Sequence, residues 1–238
     1  MEADVWLFNS TLYIGHEESA LTPDRTFDSL YIQPILSVLR RENPTSRFVA
    51  SPTRNGVFDT NSGQTLFLFV DVKTDGPTTW PHVVTALQPL RAANYLTTYN
   101  GSAITPGPVT VIGTGNTPLN QVQPVTERDY FFDANLALLA TSQTSITRFV
   151  SPVASTQFSA VIGQINGATF NDTQLDTVRA QVDEANRRGI LARYWDTPAW
   201  PVSTRNAVWT TLVEQGVGLL NADDVVEAAG FGGVAGFW

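Results

Sequence analysis

Leu66-Phe67-Leu68-Phe69-Val70 is apolar at five consecutive positions and closes on Asp71-Val72-Lys73. Successive residues of a strand point to opposite faces, so a strand apolar at every position is covered on both sides. Helices packed on a largely parallel sheet supply that kind of cover. The rest of the chain offers them. Strand-like runs at 2–8, 109–113, 190–195 and 217–221 alternate with helical stretches at 34–41, 80–93, 172–188, 203–215 and 223–229. Shorter strand candidates lie at 130–132 and 148–153. Pro34 suits a first helical turn, Asn43-Pro44 closes that helix, and Gly189 and Gly216 end the two long later ones. Pro89 falls inside the 80–93 stretch and weakens its last turn. The glycine-rich stretch 230–238 reads as a chain end. Alternation of this kind predicts parallel strands joined by crossover helices.

Polar residues recur where the strands end: Asp71 and Lys73, Thr114 to Asn116, Ser151, Asp196 and Asn221. In a (β/α)8 TIM-type barrel those ends form one face, and that face carries the site. The length of 238 residues suits one such domain over 1–238. An open doubly wound sheet would also place ligands at strand ends. Gly113-Thr114-Gly115-Asn116 stops short of a Gly-x-Gly-x-x-Gly turn, which argues against a dinucleotide site.

Composition removes further classes. The net charge is −8 and no basic patch stands out, so nucleic acid is not an expected partner. The chain has no cysteine, which excludes disulfides, thiolate nucleophiles and cysteine-ligated zinc. No apolar run is long enough to expect a transmembrane segment. Asn9, Asn100 and Asn171 open N-x-S/T triplets, which matter only in a secreted protein.

The chemistry gathers near the start. Glu2 and Asp4 project to one face of their strand, about 6–7 Å apart. If the following turn spans 9–11, Phe8 faces Leu12 and Asp4 faces His16, with Cβ atoms about 5 Å apart. A two-residue turn would send His16 to the other face. Carboxylates around one point repel unless a cation sits between them. Hard oxygen ligands with room for water suit Mg²⁺ or Ca²⁺. Asp71 is the expected third ligand, and Lys73, on the same face, can stabilise charge on a reacting phosphate. His16 can move a proton to or from an ester oxygen. Each element also has a plain explanation, as a solvated strand face, an ordinary histidine or a strand-end ion pair, and spacing leaves both open. A glycosidase, with carboxyls about 5–9 Å apart and Trp195 and Trp200 beside a sugar, is conceivable. The lysine and histidine fit a phosphate better.

Several stretches carry a family resemblance. They are Glu2-Ala3-Asp4-Val5-Trp6-Leu7 through Gly15-His16, Leu21 on to Thr26-Phe27, and Leu68-Phe69-Val70-Asp71-Val72-Lys73. To these are added Gly107-Pro108-Val109-Thr110-Val111-Ile112-Gly113-Thr114-Gly115-Asn116-Thr117-Pro118, Arg193-Tyr194-Trp195-Asp196-Thr197-Pro198-Ala199-Trp200-Pro201 and Leu220-Asn221-Ala222-Asp223-Asp224. Together they resemble the phosphatidylinositol phospholipase C-like phosphodiesterases, which include glycerophosphodiester phosphodiesterases and sphingomyelinase D-type phospholipases. Within that superfamily they are most similar to the fungal altered inheritance of mitochondria protein 6-like family.

The resemblance implies a barrel with a metal at the C-terminal face. Glu2, Asp4 and Asp71 match the metal ligands, His16 the second catalytic histidine, and Lys73 the lysine that follows the third ligand. Asp71 is aspartate, as in the sphingomyelinase D type. Asn116, Trp195, Asp196 and Asn221 are expected to line the substrate pocket, with plain strand-end polar or core aromatic roles as the alternative. Family members begin with a strand ending in a catalytic histidine, ahead of the Glu-x-Asp. No residue precedes Met1, so the expectation is a barrel lacking its first strand and part of its second. His82 is expected at a helix start on the surface. The localisation stays open, secreted and mitochondrial both being compatible. The expected activity is that of a metal-dependent phosphoric diester hydrolase acting on a small-molecule, glycerol or lipid phosphodiester, impaired where the first histidine is lost. The alternative is a non-catalytic barrel that binds a phosphate ligand or a protein partner.

Overall fold

Strand β1 (Glu2–Phe8) reverses through Asn9-Ser10 and returns as β2 (Thr11–Ile14) in a computed structural model that describes residues 1–49 and 53–230. Asn9 and Ser10 both adopt positive φ, 47° and 65°. That is the conformation of a two-residue hairpin turn matched to strand twist. Thr11 is thereby released to pair with Phe8, and Val5 pairs with Ile14. The expected three-residue turn and its register, Phe8 facing Leu12, are corrected accordingly.

A π-helical turn, Asp28–Ile32, leads into α1 (Gln33–Glu42), which buries Ile35, Leu36 and Leu39. Strand β3 (Leu66–Val72) then pairs in parallel with β1, placing Asp4 opposite Asp71. Its Leu68, Phe69, Val70 and Val72 are buried, as the unbroken apolar run requires.

The helix expected over 80–93 is two helices, α2 (Gly76–Ala86) and α3 (Gln88–Ala92). Asp75 starts the first by accepting the Thr78 N–H, and Pro89, which has no N–H to extend it, falls in the first turn of the second. His82 consequently lies inside α2 and is half-buried, not at a helix start on the surface. A small hairpin, β4 (Thr98–Tyr99) with β5 (Ile104–Thr105), precedes β6 (Val109–Gly115), α4 (Leu119–Val122) and β7 (Phe131–Asn135). Its strands are too short for a periodic signal.

The chain divides into two compact units, Met1–Phe132 and Asp133–Trp238. In the first, the strand order is β2-β1-β3-β6, with Phe131 and Phe132 of β7 paired to Ile112 and Gly113. All but β2 run parallel. Its core includes Val5, Leu36, Leu68, Val70, Leu87 and Trp80, whose ring meets Tyr130 edge-on at 5.4 Å.

In the second unit, the rest of β7 pairs with β8 (Val153–Gln157), which pairs with β9 (Leu191–Trp195), which pairs with β10 (Leu219–Leu220), all parallel. The connecting helices are α5 (Phe158–Val161), α6 (Asp172–Arg187) and α7 (Val202–Glu214), and α8 (Val225–Gly230) follows β10. Phe158 anchors this core, edge-on to Phe170 at 6.0 Å and to Tyr194 at 6.1 Å. Gly189 and Gly216 take positive φ just past α6 and α7, as expected of helix ends.

The strand expected at 148–153 begins only at Val153. Thr147 O accepts the N–H groups of Val150 and Ser151, and Pro152 has none to give, so the chain turns there. Ser151 therefore precedes a strand instead of ending one, and it is fully buried, with its hydroxyl accepting the Ala134 N–H. The stretch 231–238 lies outside the described residues. These pairings establish an α/β fold with mainly parallel strands; eightfold closure into a barrel is not among them.

Candidate functional site

Parallel register sets Asp4 directly across from Asp71, and the pleat turns both side chains to one face. Glu2, two residues earlier, shares that face. Carboxylate oxygens of Glu2, Asp4 and Asp71 lie within 4.8 Å of one another. Lys73, just past β3, brings Nζ to 2.6 Å from Asp71 Oδ2 and 3.0 Å from Asp4 Oδ1.

His16 Nδ1 lies 3.4 Å from Asp4 Oδ2. It reaches Asp4 even though the two-residue turn would put it on the other face of a continuing strand. The strand does not continue: β2 ends at Ile14 and the chain bends at Gly15, whose N–H donates to Asp4 O at 3.3 Å. A Cβ on Gly15 would stand 2.9 Å from Leu21, and the Trp6 indole N–H donates to Gly15 O at 2.7 Å. The bend is thus packed from both sides. The imidazole itself is 82% exposed.

Burial pushes the Asp71 carboxyl above its usual range; Lys73 opposes this, and Asp4 and Glu2 add to it. For Lys73, burial pulls the ammonium down, but its bonds to Asp71 and Asp4 outweigh that and raise it overall. The ammonium is therefore charged at neutral pH. Tyr31 donates its hydroxyl to Glu2 O at 2.6 Å, and burial, then Asp4 and Glu2, raise its phenol.

Two supports come from the end of β6. Gly115 has φ +62°, and a Cβ there would lie 2.0 Å from Asp71 Oδ1. Only glycine leaves that carboxylate in place. Asn116 donates its backbone N–H to Val72 O at 2.9 Å and its amide to Lys73 O and Thr74 O at 3.3 and 3.1 Å. It pins the backbone that carries Lys73. Gly115, Trp6 and Tyr31 are absent from the sequence-based set because they act by shape and through backbone carbonyls. The glycine in the polar strand-end run Thr114 to Asn116 is the signal that could have found Gly115.

The donor set fits a hard divalent cation. Opposite ligands lie about 4.2 Å apart around Mg²⁺ and about 5 Å apart around Ca²⁺. The three carboxylates lie within 4.8 Å of one another, which does not separate the two ions, and Lys73 Nζ already sits on two of them.

Trp195, Asp196 and Asn221 belong to the second unit. Trp195 is 41% exposed at the end of β9. Asp196, at φ +57°, accepts from Gln157 Nε2 at 2.9 Å and from the Ser159 hydroxyl, and these bonds hold its carboxyl below the usual range. Asn221 Oδ1 accepts from Arg193 Nε and Nη2 at 3.1 and 2.6 Å. Asp196 and Asn221 line a cavity of this unit.

Fold and site together define an α/β protein with a lysine-bridged acidic centre on adjacent parallel strands. Residues 1–133 match the AIM6-like phosphodiesterase domain, and the chain belongs to that family. It is 55% identical over 235 residues to the altered inheritance of mitochondria protein 6 homolog of Arthroderma benhamiae, covering 97% of this chain and 74% of that protein. It is 34% identical to altered inheritance of mitochondria protein 6 of Eremothecium gossypii and 27% identical to that of Saccharomyces cerevisiae RM11-1a. Those alignments cover 94% and 96% of this chain but only 61% and 63% of the relatives' length. No solved structure matches the chain.

Proposed function

We propose that the acidic centre makes this chain a metal-dependent phosphoric diester hydrolase acting on a lipid or glycerol phosphodiester. The observation that carries the reading is the meeting of Glu2, Asp4 and Asp71 within 4.8 Å, with Lys73 and His16 on the same carboxylates. The match of residues 1–133 to an AIM6-like phosphodiesterase domain supports it. In this reading the parallel strands form part of the (β/α)8 barrel that the resemblance implies, with the centre at the strand ends.

Glu2, Asp4 and Asp71 would hold Mg²⁺ or Ca²⁺. When bound, such an ion neutralises charge on the phosphate oxygens as a Lewis acid. Lys73 places a second positive charge where a phosphorane-like transition state becomes more negative than the ground state. Asp4, beside Nδ1 of His16, orients the imidazole and leaves Nε2 for the substrate, where the imidazolium can protonate the alkoxide that departs as water bonds to phosphorus and gives its own proton to solvent. Asn116 and Gly115 position; they do not react.

The test is hydrolysis of bis(p-nitrophenyl) phosphate and of a glycerophosphodiester with Mg²⁺, with Ca²⁺ and with EDTA, in the parent and in Asp4→Asn and Asp71→Asn. The reading expects metal-dependent turnover that both substitutions abolish. Turnover that survives chelation and both substitutions removes it. A second reading has one observation in its favour: Lys73 already bridges Asp4 and Asp71. A non-catalytic centre that binds a phosphate ligand would show ligand-dependent thermal stabilisation and no hydrolysis.

A further inference from the structure

His16 has little to hold it at the ring. The imidazole is 82% exposed, and among the described residues its one polar contact is Asp4 Oδ2 at 3.4 Å. A full-strength hydrogen bond of this kind is about 2.7–3.2 Å long. That contact can aim the ring, but where the ring stands is set by the backbone that carries it. A peptide unit is planar, so holding the Gly15 carbonyl oxygen holds the plane in which the His16 nitrogen and Cα lie.

Strand β1 supplies the hold. Asp4 O accepts the Gly15 N–H at 3.3 Å, on the peptide unit before. Trp6 Nε1 donates to Gly15 O at 2.7 Å, on the unit that carries His16. The second bond is the shorter one and acts directly on that unit. The indole can make it because Glu2, Asp4 and Trp6 alternate along β1 and share its carboxylate face. Gly15 has no Cβ to restrict its rotation, so the peptide plane depends on its hydrogen bonds. The residue is also buried, so water does not readily replace a lost donor at its carbonyl. Without the indole N–H the unit turns to find another partner, and His16 turns with it.

We propose that Trp6 is a positioning residue for proton transfer by His16: its indole N–H sets the Gly15–His16 peptide, and that peptide sets the reach of Nε2 to the leaving oxygen. This role rests on the phosphodiesterase reading above. In the step it serves, water oxygen bonds to phosphorus and its proton goes to solvent. The bond from phosphorus to the alkyl oxygen breaks, and the imidazolium proton passes from Nε2 to that oxygen. A departing alkoxide needs the proton. A p-nitrophenolate spreads its charge over the nitro-substituted ring and leaves without it. A misplaced imidazole therefore slows loss of an alkoxide more than loss of p-nitrophenolate.

The full chain is assayed with Mg²⁺ on bis(p-nitrophenyl) phosphate and on two alkyl diesters, glycerophosphocholine and lysophosphatidylcholine. The quantity read is kcat/KM for the alkyl diester divided by kcat/KM for the nitrophenyl one. Trp6→Phe keeps a ring and loses the N–H. It should lower that ratio about tenfold, a part of the roughly 10²–10⁴-fold that general acid catalysis supplies. His16→Ala should lower it further. A residue that only supports the fold would depress both substrates alike and leave the ratio unmoved. If circular dichroism shows that Trp6→Phe does not fold, replacement of Trp6 by benzothienylalanine carries the test, since it keeps the bicyclic shape with sulfur in place of the N–H. A ratio that the Trp6 variant leaves unchanged while His16→Ala lowers it overturns the inference and leaves the phosphodiesterase reading standing. A ratio that His16→Ala does not move takes the proton transfer away from His16 and overturns the inference too. A parent that hydrolyses neither alkyl diester removes the reading and the inference together.

Discussion

Lys73 carries more of the acidic centre than any other single residue. Its ammonium touches two carboxylates that stand in register on neighbouring strands, and its side chain is 23% exposed. Lys73→Met keeps the stem and removes the charge, leaving Asp4 and Asp71 facing each other. The expected loss is about 2 kcal/mol of unfolding free energy, less than for a fully buried pair. Mg²⁺ should restore more stability to this variant than to the parent, as urea melts with and without the ion will show.

The pH response has a definite sign. The folded pKa of Lys73 lies above the unfolded one. Its stabilisation is therefore full below the ordinary lysine range and is lost as pH climbs through the raised folded value. Alkaline melts should fall more steeply in the parent than in Lys73→Met. Asp71 has the same sign in a lower pH range, as a growing penalty and not a lost gain. Its raised folded pKa means a penalty that grows as pH rises from the ordinary carboxylate range through the folded value. Gly115→Ala is expected to cost about 1–2 kcal/mol from φ alone. It should also displace the Asp71 carboxylate, so a Mg²⁺ titration should give weaker binding than in the parent. Equal affinity would show that Asp71 has room to move.

Among the elements, α6 is capped by Arg188, just past its last residue, whose side chain is 10% exposed. Its guanidinium donates to Leu139 O at 2.6 Å, to Gln143 O and Ile146 O at 3.1 Å each, and to Glu184. One side chain thus ties the 139–146 turns to the helix. Arg188→Leu should destabilise the protein by about 3 kcal/mol, because four carbonyls, those of Leu139, Gln143, Thr144 and Ile146, lose a charged donor and Glu184 loses a partner. Hydrogen exchange should quicken first around 139–146; uniform quickening would mean that the contact is spread more widely.

The elements also show how far local pattern reaches. The run 66–70 identified a strand buried on both faces, and the Gly189 and Gly216 stops marked helix ends, because each signal is complete within a few residues. The β1–β2 register was misread because it turned on whether Ser10 would accept positive φ. The strand expected at 148–153 was displaced because Pro152 and a turn on Thr147 compete with apolar content there. The break between α2 and α3 was half-visible in Pro89, but the early start at Asp75 needed recognition of a cap.

For the whole molecule, alternation made legible that Glu2 shares a face with Asp4 and Asp71 with Lys73, but spacing left their purpose open and their meeting depends on the β1–β3 register. His16 arrived by a different route from the one anticipated, through the bend at Gly15. Asp196 and Asn221 line a cavity whose walls come from residues far apart in sequence, and no local pattern announces that. A resident divalent ion would also link site and stability. At one hundred times its dissociation constant it would add about 2.7 kcal/mol, and the gain should vanish in Asp71→Asn.

The most direct measurement is a calorimetric titration of the metal-stripped chain with Mg²⁺ and with Ca²⁺, in the parent and in Asp4→Asn and Asp71→Asn. One saturable site in the parent, lost or strongly weakened in both variants, is the predicted result. No saturable site, or one that neither substitution affects, would mean that Glu2, Asp4 and Asp71 do not form a metal centre.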